Sequence, residues 1–183
     1  MWPASKERAS ARLKNIITWL AFSDPALISS VIICYSAHMG NTLKVARVIG
    51  EVLGAEIYKP GELDPREAVK KYQLIGLGSG IYYGRHHPSI IIFAERLPEA
   101  RDRCVFVFST SGLPKIPVLH NYHKPLITIL SRKGFRFVGE FSCRGYNLHG
   151  ALRLIGGMNK GRPNAEDLER ARRFAENILR RLA

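Results

Sequence analysis

Acidic residues are scarce in this chain of 183: 15 Asp and Glu stand against 28 Lys and Arg, a formal charge of +13. That excess gives a positive surface potential and favours anionic partners such as nucleic acid, acidic lipid or an acidic protein. Cysteine is scarce as well. Cys34, Cys104 and Cys143 include no CxxC pair, which excludes a disulfide framework and suits a reduced, intracellular protein. No apolar run approaches the roughly 20 residues of a membrane span. Neither GxGxxG nor GxxxxGKS/T occurs, so the dinucleotide and P-loop fingerprints are missing. Gly156–Gly161 has the P-loop glycine spacing, but Arg162 follows where lysine is required. There is no internal repeat, and 16 Gly and 10 Pro exclude collagen-like and low-complexity chains.

The length suits one domain with a full core. Residues 1–29 read as a basic, amphipathic extension, with Lys6, Arg8, Arg12 and Lys14 ahead of the apolar stretch Ile16–Phe22. Seven apolar residues cut by Asp24 and Pro25 make a poor secretory signal. A helix lying on a membrane surface is the competing reading of this segment.

From residue 30 to 183 two kinds of segment alternate. Ser30–Tyr35 (SVIICY) is a continuous β-branched run, as expected of a strand buried on both faces. Leu43–Leu53 carries a helical apolar stripe closed by Gly54, and Ala55–Tyr58 is a short strand. Asp64-Pro65 is a helix start. Leu74–Gly78 is a third strand, Pro88–Leu97 a helix, Cys104–Phe108 a fourth strand, Lys124–Lys133 a helix and Phe135–Phe141 a fifth strand. Asn164 caps a last helix carrying Leu168, Ala171, Ala175, Ile178 and Leu182 on one face. Hydrophobic strands separated by amphipathic helices mean βαβ units and a parallel sheet. The spacing suits a three-layer, doubly wound sheet of five parallel strands in the order 2-1-3-4-5, whose ligands bind beyond the strand C-termini.

The loop after the first strand, Ser36-Ala37-His38-Met39-Gly40-Asn41-Thr42, enters a helix directly. Gly40 allows backbone conformations closed to other residues, and Asn41 or Thr42 can cap the helix. Amide donors at the positive end of a helix dipole make an anion cradle without a lysine. A receiver domain shares this topology but needs acidic residues after strand one and an Asp ending strand three, where this chain has Tyr35-Ser36 and Ser79-Gly80.

These residues resemble the flavodoxins and flavodoxin-like FMN proteins. Gly40-Asn41-Thr42, Gly78-Ser79-Gly80-Ile81-Tyr82-Tyr83-Gly84 and Ser109-Thr110-Ser111-Gly112 stand where that family has its three binding loops. The likeness spans about Val31 to Leu182 and is closest to a divergent branch of the family. It implies that FMN phosphate sits on Ser36, His38, Met39, Gly40, Asn41 and Thr42. The flavin then lies between Ser79–Gly84, with Tyr82 or Tyr83 stacked on it, and Ser109–Gly112. One departure is clear: flavodoxins usually place three Ser/Thr hydroxyls in the first loop, whereas Ala37, His38 and Met39 precede Gly40 here. His38 stands either as a substitute phosphate donor or as a solvent-exposed loop residue.

Arg85-His86-His87 follows the second loop, as a cation beside the flavin or a docking patch for an acidic partner. Adjacent histidines point apart and His120 and His123 lack further ligands, so no metal site is expected. The long segment Asn147–Pro163 exceeds a usual connection and carries no assigned role. The family likeness implies an FMN protein that carries electrons in the cytoplasm, and charge adds an acidic redox partner or an anionic small-molecule substrate, with peripheral membrane contact as a further option. The alternative is an FMN-dependent oxidoreductase acting on a quinone or a porphyrin, because Ile81–Ser89 is similar to a tract of bacterial menaquinone-dependent protoporphyrinogen oxidase. Nucleic-acid binding rests on charge alone, since no such motif is present.

Overall fold

The computed structural model describes residues 28–37, 39–112, 121–147 and 156–183. All but the last two residues of the extension read over 1–29, His38, His120 and residues 148–155 of the long segment lie outside the described residues. Among the described residues β1 (Ser30–Tyr35), α1 (Asn41–Leu53), β2 (Glu56–Tyr58), α2 (Pro65–Lys71), β3 (Leu74–Tyr82), β4 (Arg85–His86), α3 (Pro88–Arg96), β5 (Cys104–Ser111), α4 (Lys124–Arg132), β6 (Arg136–Arg144) and α5 (Ala165–Leu182) follow in chain order. No helix among them is long and apolar enough to cross a membrane.

Five strands form a parallel sheet in the order β2-β1-β3-β5-β6, which is the expected 2-1-3-4-5 arrangement counted over the parallel strands. Alternate side chains of each strand enter opposite layers. On one face Ile32, Phe106, Phe108 and Phe141 meet Val45 and Ile49 of α1 and Ala171, Ala175 and Ile178 of α5. On the other Val31, Ile33, Ile75, Leu77, Val105 and Val107 meet Ile90 and Phe93 of α3 and Leu126 and Leu130 of α4. Strands apolar on both faces had to be covered on both, and the amphipathic helices do so.

The helix ends follow local chemistry. Asp64 accepts hydrogen bonds from the Arg66 and Glu67 amides with Pro65 at the first helical position, and Asn164 with Asp167 forms a reciprocal capping box on α5. α1 differs from expectation. Its cap is Gly40, left-handed at φ 66° and without a side-chain hydrogen bond, and Asn41 is already helical.

β3 and β5 also run further than the apolar patterning suggested. Ser79–Tyr82 and Ser109–Ser111, expected as loops, are strand, because Ser79 pairs with Ser109 and Gly80 with Thr110 in continuing register. Beyond them β4 folds back antiparallel on β3, pairing Ile81 with His86 and Tyr82 with Arg85. The glycines of β3 have a packing role: a Cβ on Gly76 would stand 2.2 Å from the Phe106 ring and one on Gly78 2.2 Å from that of Phe108. We expect Gly78→Ala to lower stability by about 3 kcal/mol by overpacking. Urea unfolding would measure it, and Phe108→Leu in the same chain should return part of the loss; an unchanged midpoint would rule out the ring over Gly78.

Candidate functional site

The C-terminal end of β1 opens into the cradle. The Gly40 amide donates to the Ala37 carbonyl (2.9 Å), closing a turn that leaves Gly40 in its left-handed conformation. The Ser36 hydroxyl accepts from the Leu43 amide (3.2 Å), so the third-residue N–H of α1 is satisfied from upstream. The Asn41 and Thr42 amides precede the first intrahelical acceptors. Two side chains brace this turn: Asn41 Nδ2 donates to the Tyr146 carbonyl (2.8 Å), and the buried Thr42 and Thr110 hydroxyls share a hydrogen bond (2.8 Å). Thr42 is thereby a strut to the third loop region, Ser109–Gly112. Met39 is 41% exposed at the lip of the turn.

After β3, Tyr83 (φ 50°) and Gly84 (φ 78°) make a two-residue hairpin with both angles positive, the geometry whose twist matches paired strands. Tyr83 stands at its tip, 90% exposed. Tyr82 lies edge-on to Tyr35 (6.5 Å) and to His87 (5.6 Å), with Ile81 pairing across the hairpin. The Tyr35 and His87 rings stack at 3.5 Å, nearly parallel. Ser79 is fully buried; its hydroxyl meets His86 Nδ1 (2.9 Å) and accepts from the His87 amide (3.0 Å). It therefore holds the hairpin base and does not face outward.

Ser79, Ser109, His86, His87 and His123, read from the sequence as loop, docking or unmatched residues, meet in a polar layer beneath the loops that their sequence positions do not foretell. In register across four strands stand Tyr35, Ser79, Ser109 and Ser142, one step beyond the apolar Ile33, Leu77 and Val107. Over them lie His86, His87, Tyr122 and His123. Ser109 is fully buried and its hydroxyl meets His123 Nε2 (2.8 Å), while His123 Nδ1 meets Glu140 Oε2 (2.7 Å). Ser109 also reaches Ser142 (3.2 Å), and Ser142 shares a hydrogen bond with Tyr122 (2.7 Å). Acid, histidine and serine thus line up in the order of a hydrolase triad, but with serine and histidine both sealed from solvent, no substrate carbonyl reaches the hydroxyl.

The described residues on either side of 148–155 brace the loop after β5. Asn147 and Met158 exchange backbone hydrogen bonds (2.9 and 2.8 Å), and Asn159 Nδ2 donates to the Gly112 carbonyl (2.6 Å). Ser111 accepts the Gly145 amide through its carbonyl (2.9 Å). The Gly40 turn, Thr110–Gly112, residues 145–147 and residues 158–159 are therefore one braced unit, with the hairpin Ile81–Gly84 beside it. The sequence offers Cys143-Arg144-Gly145-Tyr146, after the fifth strand, as a weaker candidate wall of the site, whereas Asn159 is marked only by the excess length of its segment. The nearest thiol, Cys143, is pushed up to about 12 by burial first and then by Asp167, and burial alone takes Cys34 to about 12; neither forms a thiolate near neutrality.

Burial holds the His87 imidazole below its ordinary range, and the geometry agrees. Its Nδ1 caps α3, accepting from the Ser89 amide (3.3 Å) and meeting the Ser89 hydroxyl (2.8 Å); a proton there would cost the amide contact and oblige the hydroxyl to turn and accept. A depressed histidine contributes stability that is present above the unfolded value near 6.5 and lost as pH falls through the folded value. Urea midpoints should therefore drop between pH 7 and pH 5, and drop less in His87→Asn, which keeps a capping acceptor without a titrating ring. Equal losses in both proteins would assign the effect to other groups.

A flavodoxin-domain family model matches residues 32–148. An uncharacterized protein of Methanocaldococcus jannaschii is 40% identical over 153 residues, covering 84% of this chain and 99% of its own. In fold the chain is similar to a flavodoxin of Streptococcus pneumoniae (TM-score 0.62, 14% identity, 84% of this chain and 99% of that one). It is similar to oxidised flavodoxin 1 of Bacillus cereus (0.60, 18%, 85% and 100%) and to an NADH:FMN oxidoreductase in its apo form (0.61, 15%, 85% and 90%). With the expected strand order and a braced glycine turn entering the first helix of the sheet, the match settles the kinship: this chain belongs to the flavodoxin family.

Proposed function

We propose that this protein binds FMN and carries electrons between redox partners. The observation that supports it most is the turn at Gly40. A dianionic phosphate needs several donors converging at the positive end of a helix dipole. The Asn41 and Thr42 amides and the Ser36 hydroxyl, whose oxygen already accepts from Leu43, supply that set. The space in front of the turn is open, since a Cβ built on Gly40 meets nothing within 4 Å. The residues present therefore fit the phosphate even with Ala37 and Met39 in place of hydroxyls.

For the ring, Tyr83 suits stacking better than Tyr82. Tyr83 is 90% exposed on the hairpin, whereas Tyr82 already meets Tyr35 and His87. Bound FMN would itself supply the electron chemistry; the protein's part is to hold phosphate, cover a ring face and shape the charge around it. The loops after β1, β3, β5 and β6 hold Arg85, Lys115, Arg153, Lys160 and Arg162 and no carboxylate, with Lys124 and Arg144 at their borders. Such a rim favours an acidic redox protein or an anionic small molecule. It equally favours the second reading, an FMN-dependent oxidoreductase whose porphyrin substrate carries carboxylates. Three free, buried thiols suit the cytoplasm.

Purified protein should be yellow, or become so with FMN. Gly40→Val should lose FMN binding while the sheet still folds, because a β-branched residue resists the left-handed conformation. Tyr83→Ala should weaken FMN roughly tenfold, the worth of one aromatic stack. A colourless protein indifferent to FMN would overturn the reading. Porphyrin fluorescence appearing when protoporphyrinogen and a quinone are added would favour the oxidoreductase.

A further inference from the structure

The buried layer under the hairpin contains a histidine placed to exist in two charge states. Glu140 Oε2 accepts from His123 Nδ1 at 2.7 Å; a carboxylate only accepts, so Nδ1 carries a hydrogen. The state of the ring then depends on Nε2, which meets the Ser109 hydroxyl at 2.8 Å. Ser109 has one hydrogen and two places for it. Directed at Nε2, it leaves the imidazole neutral. Directed at Ser142, 3.2 Å away in a geometry that lets Ser109 donate, it frees the serine oxygen to accept from a protonated Nε2. Ser142 can pass its own hydrogen to Tyr122, 2.7 Å away, where either oxygen can donate.

A fully buried imidazole is ordinarily confined to one charge state, because the other leaves a polar group unmatched. Here the turn of one hydroxyl accommodates both, without movement of any heavy atom. Among the described residues, His123 is faced by Glu140 from β6, the His86 ring at 5.0 Å from β4 and Tyr122 beside it. Burial raises the Tyr122 phenol, so it stays protonated through the neutral range. His86 is the other titrating ring, and two cationic rings this close repel. Glu140, with 36% side-chain exposure, keeps the pair in touch with water.

We propose that His123, held by Glu140 and served by the Ser109 hydroxyl, is a charge-compensating proton store for the redox site. The proposal rests on the flavin reading. When an external reductant delivers an electron to the bound group, one proton from water adds to His123 Nε2 and the Ser109 hydrogen turns to Ser142. When the electron leaves, that proton returns to water. Charge in the buried layer therefore follows charge in the site, and the energy of the electron depends on pH through a residue that never touches the electron carrier. Serine and glutamate are positioned for this by strand register, since Ser109 and Ser142 are direct neighbours and Glu140 is two residues before Ser142 on the same face; His123 is brought to them at the start of α4.

Two measurements test it. In protein without flavin, ring nitrogen shifts of His123 followed by NMR should report one titration. In FMN-loaded protein, reduced stepwise with dithionite, the midpoint potential plotted against pH should change slope at a His123-dependent inflection. His123→Gln, which keeps an amide between Ser109 and Glu140, should abolish that inflection. Glu140→Gln should move it to lower pH by roughly one unit or more, because the stabilising countercharge is gone. Ser142→Ala should move it the same way by about half a unit, because the second home of the Ser109 hydrogen is lost. Ser142 lies on an edge strand, and its variant carries the test if His123→Gln fails to fold. Loaded protein whose inflection persists in His123→Gln, or stays at the wild-type pH in Ser142→Ala, overturns the proposal alone. Wild-type protein that binds no FMN overturns the flavin reading and this proposal with it.

Discussion

The register of β1, β3, β5 and β6 is the constraint on which the rest of the molecule depends. Parallel pairing puts Tyr35, Ser79, Ser109 and Ser142 on one level, and at that level the α3–α4 layer turns from aliphatic to polar. A slip of one residue would reverse every side chain between the layers. It would place Val107 and Ile33 on the wrong face and bring the serines into a layer with no histidine to meet them. The other face obeys the same register: Thr110 reaches Thr42 there, so the pairing that orders the core also fixes the distance between the Gly40 turn and the loop after β5.

How far the sequence foretold this differs by element. SVIICY and CVFVF read as strands because burial on both faces demands continuous apolar residues, and α5 reads as a helix because Asn164 and the Leu168–Leu182 stripe agree. Ser79–Tyr82 and Ser109–Ser111 did not read as strand. Their residues are polar or lack a Cβ, and they pair because neighbours continue, which is tertiary information. Gly78 illustrates the ambiguity: a glycine before a binding loop suggests close approach of a ligand, yet its neighbour is the Phe108 ring. The cradle was legible because Gly-Asn-Thr entering a helix is a local device. The brace from Asn159 to Gly112 joins residues 47 apart in the chain, and no local pattern encodes such a pairing. His123 and Glu140, 17 apart, escaped for the same reason. Looked at singly, each is an ordinary helix-flanking or edge-strand residue.

Charge is divided between two scales. In sequence the loops after β1, β3, β5 and β6 carry lysine and arginine and no carboxylate, a charge that draws anions and is weakened by salt. Beneath it, interaction is short-range and self-contained: Glu140 is matched by His123, and Asp167 by Arg162 (2.7 Å) and Arg170 (3.3 Å). The carboxylates near the site are thus committed to particular partners, and the outward field is left to lysine and arginine. Elsewhere the same economy is absent. On α5 exposed pairs such as Arg173 with Glu169 (3.2 Å) contribute little on their own.

Burial decides what the Glu140–His123–Ser109 line can be. Distances of 2.7 and 2.8 Å are those of a nucleophile activated by a base, and geometry alone would permit that chemistry. Nucleophilic attack, however, needs an electrophile within reach of the serine oxygen and donors for the oxyanion that forms. Ser109 has neither access nor a vacant donor pair, and its oxygen is shared with Ser142. What survives when access is removed is the part of triad chemistry that needs no substrate: a carboxylate orienting an imidazole, and an imidazole exchanging hydrogen with a hydroxyl. Set at the end of the sheet between the hairpin and the loop after β5, that remainder is suited to balancing charge.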